Sequence, residues 1–209
     1  NLLNEGVDKE RIDLIGNIMI DSFEMMSAKI KASNAREDIG LEEGRYALVT
    51  LHRPSNVDEA GPLGRIVESL VTVADQVPVV FVAHPRTLNG LERFGLKDTL
   101  ADAPNVTLLE PQPYVRFMKL VTGAQLVITD SGGLQEETTY LGIPCLTLRE
   151  NTERPITVDV GTNRLVDADS LAASLDQALK GEWQKGSVPP HWDGKTAERA
   201  VAALKRRFT

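Results

Sequence analysis

The sequence predicts an α/β fold, a Rossmann-like, doubly wound parallel sheet. Three observations predict it. Short β-rich apolar runs alternate with segments of helical period. The runs are apolar throughout rather than alternating, as strands covered on both faces are. Each run is followed at once by polar or cationic residues, where open α/β sheets bind ligands.

Residues 46–51 (Tyr-Ala-Leu-Val-Thr-Leu) form the first predicted strand. Residues 61–77 carry Ile66, Leu70, Val73 and Val77 at helical spacing, and residues 79–83 form the second strand. The third strand is 106–109, followed by a short helix over 114–121. The fourth is 126–129, followed by a helix over 131–141; the fifth is 144–148, and 164–166 is a short sixth. Helices over 170–179 and 195–208 close the chain. Strands and helices in this order imply right-handed βαβ units. Residues 1–40 stand outside the repeat: a short strand over 12–15, then Gly16-Asn17, then an amphipathic helix to about residue 35. The charged stretch 36–45 is read as a boundary, with 41–190 the Rossmann-like unit and 191–209 a separate C-terminal helical segment.

A net charge of −7 over 209 residues, without a dense Lys/Arg stripe, argues against nucleic acid as a partner. The basic Lys205-Arg206-Arg207 complements a helix C-terminus. Cys145 is the only cysteine, which points to a reducing, cytoplasmic setting, and its flanks read as a buried strand rather than a reactive-thiol site. No apolar run is long enough to span a membrane. No His/Cys/carboxylate spacing suggests a metal, and neither a Walker loop nor a dinucleotide fingerprint is present. The chain opens at Asn1 without Met, so a fragment of a longer protein is expected.

The strand ends carry the chemistry. They deliver His52-Arg53-Pro54-Ser55-Asn56, His84-Pro85-Arg86, Glu110-Pro111-Gln112-Pro113, Asp130-Ser131-Gly132-Gly133 and Arg149 to Arg154. A helix starting at Ser131-Gly132-Gly133 offers unpaired N–H groups and positive dipole to a diphosphate, and glycine lets it approach closely. The plain alternative is a turn capped by Asp130 or Ser131. Glu137 follows Gly133 by four residues and can accept ribose hydroxyls; Glu136 and Glu137 could equally be a solvated face. His52 and His84, two of three histidines, share this edge, whereas His191 is read as structural. Arg149 and Arg154 can neutralise phosphate, or pair with Glu150 or Glu153.

Residues 129–137 (Thr-Asp-Ser-Gly-Gly-Leu-Gln-Glu-Glu), Leu141-Gly-Ile-Pro144, Arg149 to Pro155, Thr50-Leu-His-Arg53 and Trp192 to Ala197 closely resemble the non-hydrolysing UDP-N-acetylglucosamine 2-epimerases. The match runs through essentially the whole chain and corresponds to the C-terminal half of that family. The resemblance implies one domain of a two-domain glycosyltransferase-B-like architecture, with the N-terminal domain and its acid/base carboxylates elsewhere, residues 1–40 the tail of that domain plus a linker helix, 41–190 the UDP-binding domain and 191–209 a C-terminal crossover helix. It implies interconversion of UDP-GlcNAc and UDP-ManNAc by elimination and re-addition of UDP, with no cofactor, in a homodimer when full length. By motif, Ser131, Gly132 and Gly133 would hold the diphosphate, with Arg154 assisting and Arg53, Arg149 and His84 as further candidates. Glu137 would hold the ribose, Gln112 and Phe117 would border uracil, and His52 would reach the reacting sugar. Phe117 on its residues alone is a core aromatic. The chain departs from the family's commonest His-Arg-Arg-Glu-Asn pattern at Pro54-Ser55, a segment that in some members senses a second UDP-GlcNAc. Three other functions fit the same residues: a UDP-sugar glycosyltransferase of this architecture, a non-catalytic UDP-binding module, and a hydrolysing variant that releases ManNAc and UDP.

Overall fold

The computed structural model describes residues 2–208, so the first and last residues of the terminal segments lie outside it. Six parallel strands form one sheet: β1 (Ala47–Thr50), β2 (Val79–Val82), β3 (Val106–Leu109), β4 (Leu126–Thr129), β5 (Cys145–Leu148) and β6 (Asn163–Val166), in the order β3-β2-β1-β4-β5-β6. The winding reverses between β1 and β4, which pair in register from Ala47 with Leu126 to Thr50 with Thr129. That reversal opens a crevice at the carboxyl edge.

Alternation along the strands divides the core in two. Ala47, Val49, Leu51, Val79 and Phe81 join the residues of α3 (Ala60–Ala74) and α9 (Leu171–Leu179) on one face. Tyr46, Leu48, Val80 and Val127 pack on the other against α1 (Ile18–Lys31), α6 (Tyr114–Thr122) and α7 (Gly132–Leu141). β1, β2, β4 and β5 are covered on both sides, which is why their sequences are continuously apolar. The outer strand β3 is half-buried along its length.

Four helices have no counterpart in the sequence pattern: α2 (Pro54–Val57), α4 (Pro85–Arg93), α5 (Lys97–Ala101) and α8 (Pro155–Asp159). Three of them begin with proline in the first turn, where its missing N–H costs nothing. The strand expected over 12–15 does not form: after the single turn Lys9–Arg11 the backbone runs irregularly to α1. That segment uses side chains instead of a ladder, since Asp13 pairs with Arg206 and Arg207 at 2.5 and 2.7 Å. α1 ends at Lys31 rather than near residue 35, where the Ser33 hydroxyl accepts from the Ala35 N–H at 3.4 Å and competes with the helix.

The C-terminal helix α10 (Thr196–Phe208) is held at both ends by the segment before and within α1. Asp21 accepts from the Thr196 and Ala197 N–H groups at 3.0 and 2.8 Å, capping α10 from another helix. Its outer face leaves Val201, Leu204 and Phe208 exposed. The chain crosses itself at Gly16, whose φ is +111° and where a Cβ would collide with the His191 carbonyl oxygen. His191 itself takes a left-handed φ of 64° and is exposed. Gly16→Ala should therefore lower unfolding free energy by about 1–3 kcal/mol, read by urea denaturation. A fully tolerated alanine would show that the crossing relaxes freely.

Candidate functional site

All the candidate groups sit on the carboxyl edge of the sheet. At its centre, α7 begins immediately after β4. Ser131 takes an extended N-cap conformation, yet its side chain makes no capping hydrogen bond within the described residues. Asp130 does not cap either, because its carboxylate is turned toward the loop after β1. The first turn of α7 is thus open to an anion. The two glycines there are not demanded by the fold. Neither has a positive φ, and a Cβ on Gly132 would come only within 4.0 Å of Arg149 and Glu153, one on Gly133 within 3.8 Å of Met19. Space left at both positions fits a ligand that approaches the backbone.

One turn further on, Glu137 and Glu136 are 6% and 8% exposed, which removes the solvated-face alternative for both. Burial pushes the Glu137 carboxyl above its ordinary value, and the neighbouring Glu136 charge adds to this against a 2.9 Å hydrogen bond from the Tyr114 hydroxyl. Burial likewise raises Glu136, against its ion pair with Arg154 at 2.9 Å. Arg154 is therefore held at the wall of the site by α7 itself. The loop carrying it is tied to α7 by a buried amide network. Gln135 accepts from Thr152 at 2.7 Å and from Asn163 at 3.1 Å, and Thr152 in turn accepts from the Arg154 N–H at 3.0 Å.

Arg149 is committed differently. Its guanidinium grips Glu153 through two hydrogen bonds of 2.8 and 2.7 Å, the ordinary salt-bridge outcome. A Cβ on Gly132 would lie 4.0 Å from both Arg149 Nη1 and Glu153 Oε2, so this ion pair borders the open first turn of α7.

His84, Gln112 and Phe117 come together around a cleft of about 200 Å³ at the ends of β1, β2 and β3, with Thr50, Val82 and Pro111. Phe117 is half-buried, facing this cleft as well as the core. His84 caps α4, accepting the Arg86 N–H through Nδ1 at 3.2 Å.

His52 lies 5.9 Å from the His84 ring, centroid to centroid. Its partner is Asp130, whose role no local pattern in the sequence marks. The fully buried Asp130 carboxylate accepts from the His52 and Arg53 N–H groups at 3.0 and 2.8 Å, from Asn56 Nδ2 at 3.0 Å and from His52 Nδ1 at 2.8 Å. Burial alone would raise this carboxyl; the hydrogen bonds, His52's first, outweigh it and hold it below its ordinary value. Arg53 also donates through Nε to the Asp130 carbonyl at 3.1 Å. Tyr114 is the second residue of the site outside the sequence candidates; only its distance of one α6 turn from Phe117 hints at it. Cys145 is fully buried on β5, its thiol pushed up to about 11 by that burial. Among the described residues, no group of three or more His, Cys, Asp or Glu is placed to hold a metal ion, and no helix is long and apolar enough to cross a membrane.

A family model described as UDP-N-acetylglucosamine 2-epimerase matches residues 1–205. The chain belongs to that family. It is 38% identical over 214 residues to the UDP-N-acetylglucosamine 2-epimerase of Methanocaldococcus jannaschii, covering 98% of this chain and 57% of that protein. The chain thus spans little more than half the length of such relatives. The solved structure of the M. jannaschii enzyme in complex with UDP-GlcNAc and UDP superposes with a TM-score of 0.81 at 36% identity, over 98% of this chain and 57% of that one. An Escherichia coli ADP-heptose heptosyltransferase II, 11% identical with a TM-score of 0.55 over 74% of this chain and 52% of its own, shares the fold alone.

The raised Glu137 carboxyl has a signed consequence. Protonated Glu137 and glutamine are equivalent in a buried site, whereas the parent loses stability as pH rises from the ordinary 4.5 through the raised folded-state value. Glu137→Gln should therefore be more stable than the parent at pH 7. The gain should fade as pH falls toward the ordinary 4.5. Urea titrations at pH 7 and 4.5 check this; a glutamine variant less stable at pH 7 would mean that the carboxylate is a net stabiliser.

Proposed function

We propose that this chain is the UDP-binding side of an enzyme that interconverts UDP-GlcNAc and UDP-ManNAc. Elimination would remove the C2 proton and break the bond from C1 to the UDP oxygen, giving a 2-acetamidoglucal and UDP. Re-addition of UDP, with a proton delivered to the opposite face of C2, inverts that carbon. The observation that carries the proposal is the uncapped α7 N-terminus over Gly132 and Gly133 with buried Glu137 one turn away, in a chain of this family.

In this scheme Ser131, Gly132 and Gly133 seat the diphosphate, whose charge meets N–H groups and the helix dipole. Glu137 takes the ribose hydroxyls, giving up or sharing its bond to Tyr114. Gln112 and Phe117 border the uracil in the cleft they line with His84. Arg154 assists with phosphate, and Arg53 and Arg149 flank the same seat. His52 reaches toward the reacting sugar. Proton transfer at C2 needs positioned acid and base groups, which the resemblance places in an N-terminal domain. A homodimer of the full-length protein and a cytoplasmic address complete the proposal.

Calorimetry with UDP tests the seat directly. Gly132→Val should weaken binding at least tenfold while leaving thermal stability unchanged, because a side chain there fills phosphate space and not protein space. Unchanged affinity would place the diphosphate elsewhere. Glu137→Ala should cost about 1–3 kcal/mol of binding; an effect near zero would sink the ribose assignment. Incubating full-length protein with UDP-GlcNAc should yield UDP-ManNAc, whereas transfer to an acceptor without it would identify a glycosyltransferase.

A further inference from the structure

We propose that Asp130 is the positioning residue of His52: it fixes the imidazole with its proton on Nδ1 and turns Nε2 outward as the working nitrogen. The Nδ1 to Asp130 Oδ1 distance is 2.8 Å, and the carboxylate that receives it is fully buried. That carboxylate cannot swing away. It also accepts the His52 and Arg53 N–H groups and Asn56 Nδ2, which itself donates to the Leu148 carbonyl at 3.0 Å. The backbone and the ring of His52 are therefore held by one group, just beyond the end of β4 and 78 residues away. The His52 side chain remains 42% exposed, so the ring has a free edge on the ligand side of the sheet.

The neighbouring histidine is set the opposite way. His84 Nδ1 accepts from a backbone N–H, so its proton sits on Nε2. Two imidazoles 5.9 Å apart thus present different nitrogens by construction: His84 a donor, His52 a nitrogen able to take up or deliver a proton. The Asp130 hydrogen bond and charge favour the imidazolium form of His52, against partial burial and the Arg53 charge. Arg149 adds its field on Asp130 from the β5 side, and the His84 ring completes the surroundings. An imidazolium here would meet negative charge developing on UDP as its bond to C1 breaks; removing Asp130 would leave the ring free to rotate and to choose either tautomer.

The catalytic consequence rests on the epimerase proposal, but the placement of the proton does not, so the two can fail separately. The test is ¹⁵N-detected NMR of the histidine rings in the protein without ligand, across pH 5 to 9. His52 should show a protonated Nδ1 in its neutral form, and its titration midpoint should drop in Asp130→Asn, where the charge that favours the imidazolium is gone. The amide spectrum of that variant reports whether its fold is kept. An Nε2-protonated neutral His52 in the parent protein overturns the proposal, even if the variant does not fold. So does an unmoved midpoint in a folded variant. Absence of UDP binding by calorimetry would remove the epimerase proposal and leave the ring assignment standing.

Discussion

The carboxyl edge is organised around a negative charge buried where the winding of the sheet reverses. β1 and β4 lie side by side but belong to opposite halves of the doubly wound sheet, and nothing in the strand ladders orients the loops beyond their ends. Asp130 does so, with His52, Arg53 and Asn56 all drawn onto one carboxylate. Removing a buried carboxylate of this kind would strand several donors at once, each costing about 1–3 kcal/mol. The loop after β1, the start of α7 and the end of β5 consequently hold fixed relative positions before any ligand arrives.

Around this centre the charges are not arranged for stability. Glu136 and Glu137 are adjacent, buried and both pushed toward protonation, with Arg154 and Asn17 offsetting the burial of the first and Tyr114 that of the second. Two glycines, which weaken a helix, stand where the backbone conformation does not ask for them. Arg149 by contrast is held by Glu153 through two hydrogen bonds. Departures of this kind from local preference concentrate where proteins bind ligands, and here they lie along one side of α7.

The strands were legible because a parallel sheet covered on both faces writes continuous apolar runs, as at 46–51 and 126–129. The unexpected helices were hidden for a physical reason: α2, α4 and α8 are short, and Pro54, Pro85 and Pro155 look like breaks although proline is well suited to a first turn. The apolar pattern at 12–15 suggested a strand, yet the segment pairs with no strand of the sheet and its Asp13 is taken by α10. Ser131-Gly132-Gly133 and Glu137 could be related to each other in the sequence because they are the N-cap, the first turn and the second turn of one helix. Asp130 was not, since its partners are 74 to 78 residues away and only the pairing of β1 with β4 brings them together.

The geometry of α7 has a consequence for selectivity. Gly133 and Glu137 stand four residues apart on a rigid, well-packed helix, a rise of about 6 Å. A helix of this kind works as a calliper whose jaws are the open first turn and the buried carboxylate. Under the proposed seating of UDP it would measure the separation of a phosphate from a sugar diol and be indifferent to what lies beyond either. Substitutions along its outer side leave that gauge unchanged, whereas gain or loss of a single residue between the jaws would swing one of them about 100° around the axis.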